Sequence, residues 1–134
     1  MNGYPWSVYF VSPYDSRLMD RTNTMKVATT DPISGCIYLS NELSGDMLLT
    51  VLLHELGHCA LFSFNLIPEI HQMVKRKYWI EAEEWVCNFI ADYGLTIFNQ
   101  AYNILGDSAW LEIPPQLERL YVEGDFELWI SYRL

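Results

Sequence analysis

Residues Met47-Leu-Leu-Thr-Val-Leu-Leu-His54-Glu55-Leu56-Gly57-His58-Cys-Ala-Leu-Phe62 form an almost unbroken apolar segment that carries two histidines and a glutamate. On a helix, residues four apart sit one above the other, so both imidazoles project from one face at a separation that one tetrahedral metal ion can bridge. Met47, Leu48, Leu49, Val51, Leu52, Leu53, Leu56, Cys59, Ala60, Leu61 and Phe62 cover nearly every direction around the axis. The helix, predicted over 45–64, is therefore expected to be central and buried. Three ionisable side chains in one buried turn would each cost roughly 1–3 kcal/mol or more if unsatisfied. A zinc ion on His54 and His58 satisfies the imidazoles, and Glu55, beside the open coordination position, can take a proton from a water there.

Before this helix the pattern changes to that of strands. Residues 6–11 (Trp-Ser-Val-Tyr-Phe-Val) are β-branched and aromatic and end at Ser12-Pro13, a second strand is expected over 25–29, and Cys36-Ile-Tyr-Leu39 follows the turn Asp31-Pro-Ile-Ser-Gly35. Together they predict a small N-terminal sheet. Ser44 or Asp46 is placed to cap the metal helix.

After it, Pro68 marks a break and residues 69–78 hold a short helix. A second long helix starts near Trp79, where Ala82, Trp85, Val86, Phe89, Ile90, Tyr93 and Ile97 form an apolar stripe expected to pack into the core. On the other side, Glu84, Cys87, Asn88 and Ala91 make a small-residue face that lets another helix approach closely. A carboxylate there is well placed as a third metal ligand. Past Gly106, Pro114-Pro115 interrupts any helix, a helical turn is expected over 116–121, and residues 126–132 suit a terminal strand or packed tail. The fold class expected is α+β, one domain over 1–134, with the sheet packed on the buried metal helix and the second long helix.

Composition narrows the partners. With 8 Lys+Arg against 17 Asp+Glu, the net charge is −9, which disfavours nucleic acid and anionic membranes. The aromatic residues read mainly as packing groups, because no basic residues interleave with them. Three widely spaced cysteines, Cys36, Cys59 and Cys87, with no secretory leader at the start, point to reduced thiols and a cytoplasmic setting. The apolar segment is broken by His54, Glu55 and His58 and so does not read as a membrane span.

His54-Glu-Leu-Gly-His58 followed by Glu84-Trp-Val-Cys-Asn88-Phe-Ile-Ala91 resembles the gluzincin pattern of zinc metallopeptidases. The strand layer and short chain are similar to the ImmA/IrrE-like and minimal gluzincin proteins often encoded by phages and mobile elements. The resemblance covers about residues 36–97. It implies a minimal zincin-like domain, Zn2+ as cofactor, ligands His54, His58 and a downstream glutamate, Glu55 as general base, and a protein or peptide substrate, with an intracellular regulator as the analogy. Glu84 matches the gluzincin register, Glu81 fits the ImmA/IrrE register, and Glu83 is a third choice. Asn88 stands where many gluzincins carry Asp and would orient an imidazole through a neutral hydrogen bond. The metzincin pattern is excluded, because Leu61 and Phe64 occupy its Gly and His positions. His71 reads as a solvated histidine, with a place along the cleft as the alternative. A second class of function is an interaction protein that keeps a structural zinc site and acts by binding a partner.

Overall fold

The computed structural model describes residues 1–110; the elements expected over 114–121 and 126–132 lie outside them. Two compact units divide the chain, Met1–Thr96 and Ile97–Leu134. Three strands, β1 (Ser7–Val11), β2 (Ala28–Asp31) and β3 (Cys36–Ser40), precede three helices, α1 (Gly45–Ser63), α2 (Ile67–Met73) and α3 (Trp79–Leu105). The fold is α+β.

The sheet has the order β1-β3-β2, with β1 parallel and β2 antiparallel to β3. β2 and β3 form a hairpin whose turn is held by Asp31: its carboxylate accepts from the Ile33 N–H (3.0 Å) and the Ser34 hydroxyl (2.7 Å). Gly35 closes it with φ +69°, and a Cβ there would lie 2.9 Å from the Pro5 carbonyl oxygen, so glycine is required on both counts. β2 begins three residues later than expected. Met25 instead bridges Met19, and the Lys26 N–H donates to the Leu18 carbonyl, so this stretch belongs to the preceding loop.

Ile37 and Leu39 point from one side of β3 and, like Cys59, are fully buried; Ala28 and Leu43 complete the buried cluster, and Trp6, Leu48, Val51, Leu52 and Leu56 pack against it. Each such burial is worth roughly 1.5–3 kcal/mol. The start of the chain is tied to the end of α1: Trp6 Nε1 donates to Ser63 Oγ (2.9 Å), Asn2 Nδ2 donates to the Ser63 carbonyl (2.8 Å), and Phe62 meets the Tyr4 and Trp6 rings edge-on.

α1 departs from the expectation of a helix buried throughout. Burial is confined to its second half, at Glu55, Gly57, Cys59, Leu61 and Ser63, whereas Met47 and Leu49 are exposed. Ser44 occupies the N-cap position without a side-chain cap, and Asp46 lies in the first turn, where its charge suits the helix dipole. Pro68 does not break the chain after α1. It falls in the first turn of α2, where its missing N–H costs nothing, and α2 runs off at 92° to α1. The short helix therefore starts earlier and ends at Met73, followed by a 3-10 turn at Arg76–Tyr78. No single helix among the described residues is long and apolar enough to cross a membrane.

The largest departure is in α3. Its residues Glu83 and Cys87 are buried, and the aromatic members of the stripe expected in the core, Trp85, Phe89 and Tyr93, are exposed. The small-residue face is the one that packs. In the second unit, Phe98 meets the Trp110 ring at 4.7 Å and the Tyr102 hydroxyl donates to Asp107 (3.2 Å).

Candidate metal centre

His54 and His58 lie one turn apart on α1, with Nε2 atoms 3.1 Å apart. From α3, Glu84 reaches both, with Oε2 3.1 Å from His54 Nε2 and Oε1 3.3 Å from His58 Nε2. One donor atom from each residue falls within 4.8 Å of the others. Around a tetrahedral zinc with bonds of about 2.0–2.1 Å, donors stand roughly 3.4 Å apart, and these separations lie close to that. Two neutral imidazole nitrogens and one carboxylate form a donor set that suits zinc and leaves a fourth position open. The residues fit the metal.

The approach of α3 is set by the glycine inside the motif. A Cβ on Gly57 would lie 3.2 Å from Cys87 Sγ and 3.4 Å from its Cα, so the helices meet where neither residue carries bulk. Glu84 is one turn before Cys87 and is thereby delivered to the imidazoles. Cys59 and Cys87 are buried free thiols, and burial pushes both up to about 12. Neither thiol belongs to the group of converging donor atoms, which is His54, His58 and Glu84.

Electrostatics reinforce the triad. Hydrogen bonds from His54 and His58 hold the Glu84 carboxyl far below the usual carboxylate range, against partial burial. The same bond to Glu84 raises the His54 pKa against its own burial, helped by the charge of Glu55. Asn88 is exposed along the cleft wall and is the smallest contributor to that rise.

Glu55 is 6% exposed and turns toward β2, where its carboxylate accepts a hydrogen bond from the Thr30 hydroxyl. Glu55, Thr30, His54, His58 and Glu84 line a single cleft of about 980 Å³. Thr30 was not legible in the sequence. The contact spans 25 residues, and the strand expected over 25–29 stops one short of it.

The neighbouring glutamates are disposed differently. Glu81 is exposed. Glu83 is 5% exposed and lines the same cleft, accepting from Arg21 Nη2 (2.8 Å) and lying 2.8 Å from His71 Nε2. Burial opposes ionisation of Glu83, but the bonds from Arg21 and His71 prevail and keep its pKa low. Only Glu84 of the three meets the imidazoles. His71 is not the solvated residue expected: its ring stacks on Trp79 at 4.0 Å with planes 7° apart, and Trp79 Nε1 donates to its carbonyl (3.0 Å). Arg21 is presented by a knotted turn in which Asp20 Oδ1 accepts from the N–H groups of Thr22 (2.8 Å) and Thr24 (3.0 Å). No family model, curated protein or solved structure matches the chain.

Proposed function

We propose that the chain is a zinc-dependent metallopeptidase of minimal zincin-like type, hydrolysing a peptide bond in a protein or peptide substrate. The observation that carries this reading is the convergence of His54, His58 and Glu84 in a cleft that also holds the Glu55 carboxylate. Zinc held by these three residues would polarise a carbonyl and bring the pKa of a water toward about 7. Glu55 is the proton carrier. One of its oxygens is engaged by Thr30, which fixes the plane of the carboxylate and leaves the other oxygen to take a proton from the attacking water and return it to the leaving amine. Hydrogen bonds from the imidazoles keep Glu84 ionised, so it serves as a ligand and not as an acid.

The test compares wild type with Glu55→Gln at equal zinc content, reading cleavage of an unstructured protein such as casein and of a mixed peptide library. Glu55→Gln should retain zinc and lose activity by roughly 10²–10⁴-fold. Equal cleavage by both forms overturns the role of Glu55. A second reading, an interaction protein with zinc as a structural staple, is favoured by the exposed aromatic row on α3. It requires that the biological effect survive Glu55→Gln.

A further inference from the structure

The solvent side of α3 carries an aromatic row opposite the two residues that the helix buries, Glu83 and Cys87. Trp85, Phe89 and Tyr93 follow one another at helical spacing, with the Trp85 and Phe89 rings stacked at 5.6 Å and the Phe89 and Tyr93 rings tilted by 42° at 5.7 Å. They are 67%, 42% and 57% exposed. Residues two apart on a helix point about 200° apart, so Trp85, between buried Glu83 and Cys87, faces directly away from the packed side. Each such ring can bury roughly 150–250 Å², so the row exceeds the scattered apolar exposure of an ordinary surface. Because the rings already lean on one another, little side-chain freedom is left to lose on binding.

Charge decides what fits it. Between Trp79 and Leu105 there is no Lys or Arg, whereas Glu81 and Asp92 are exposed beside the aromatic row, Asp92 where the row borders the cleft. The whole chain carries −9. A second copy, an anionic bilayer and a nucleic acid all bring negative charge to this surface, and a basic surface brings the complement. A single row at helical spacing matches the apolar stripe of one helix.

We infer that the outward face of α3, Trp85, Phe89 and Tyr93 with Glu81 and Asp92, docks a basic amphipathic helix of a partner protein. The apolar stripe of that helix covers the rings, and its Lys or Arg residues meet the two carboxylates. The inference does not depend on the metal or on Glu55.

The probe is a synthetic helical peptide with leucines along one face and lysines flanking them, set against the same peptide with glutamate for lysine. Full-length wild type should bind the lysine peptide at least about tenfold tighter than the glutamate peptide, and added salt should weaken it. The triple variant Trp85→Ser/Phe89→Ser/Tyr93→Ser should lose about tenfold or more in affinity, with helicity by circular dichroism and zinc content unchanged. Glu81→Lys/Asp92→Lys should invert the preference between the two peptides. Equal binding of the lysine peptide by wild type and the triple variant overturns the proposal. So does a dimer in sedimentation that the triple variant abolishes, which assigns the face to a second copy. Flotation with phosphatidylserine-rich vesicles that requires Trp85 likewise overturns it in favour of a membrane.

Discussion

The two long faces of α3 differ in every respect that matters to the protein. The inward face carries small or charged residues, Glu83, Glu84 and Cys87, and is where the helix meets α1; the outward face carries Trp85, Phe89 and Tyr93 and meets solvent. Hydrophobicity alone would reverse the assignment. What decides it is geometry: Gly57 leaves room only for a side as narrow as Cys87, and two glutamates find partners there that water would otherwise supply. A stripe of large apolar groups is no proof of a core position when the opposite side has specific polar work to do.

This contrast can be broken most severely from the inside. His54→Ala, His58→Ala or Glu84→Ala should take zinc from about one per chain to near none, a loss of affinity beyond the roughly 10–100-fold typical of residues that only orient ligands. Glu81→Ala should leave it unchanged. Elemental analysis after dialysis decides between them, and zinc kept by Glu84→Ala but lost by Glu81→Ala would exchange their roles.

A smaller effect is expected where the helices touch. Gly57→Ala places a methyl 3.2 Å from Cys87 Sγ, and overpacking of this kind costs about 1–3 kcal/mol. Since relief requires α3 to move off α1, zinc affinity should fall along with Tm. Gly57→Ala with both unchanged would show that the close approach does not position Glu84.

The pH response follows from opposite shifts in one triad. Glu84 is depressed below 4.5, so its contribution to the metal-free protein is complete above that pH and is lost as pH falls further. His54 is raised above 6.5, so its contribution is complete below 6.5 and is lost as pH rises through the elevated value. The metal-free triad therefore stabilises most between these limits. Zinc needs His54 unprotonated, and on acidification its apparent affinity should begin to fall while the pH is still above 6.5. Titration with a zinc-sensitive dye across this range checks it; a decline that starts only below 6.5 contradicts the raised pKa.

Least should happen on the outside. Trp85→Ser alone should change stability within about 0.5 kcal/mol and leave zinc untouched, because the residue is 67% exposed. Chemical denaturation of the two forms would expose a larger dependence.

Much of the fold was legible because its signals are local. The strand pattern before Ser12-Pro13, the turn at Asp31–Gly35 and the four-residue spacing of His54 and His58 each depend on neighbours in sequence, and β1, β3, α1 and the start of α3 lie within a residue or so of expectation. The errors are non-local. Residues 25–27 look like strand but are claimed by Leu18 and Met19, and His71 looks solvated until Trp79 and Glu83 fold against it. The helix register left three glutamates open, and only the Gly57–Cys87 contact, thirty positions apart in the chain, turns Glu84 toward the imidazoles.

Glu83 and Glu84 are consecutive, yet one is gripped by Arg21 and His71 and the other by the two imidazoles of α1. A helix held by adjacent side chains on divergent bearings cannot swivel about its axis without breaking both grips, in the way that a shaft with two keyways cannot turn in its hub. The Asp20–Thr24 turn and the His54–His58 pair are thus in mechanical register across a single peptide bond.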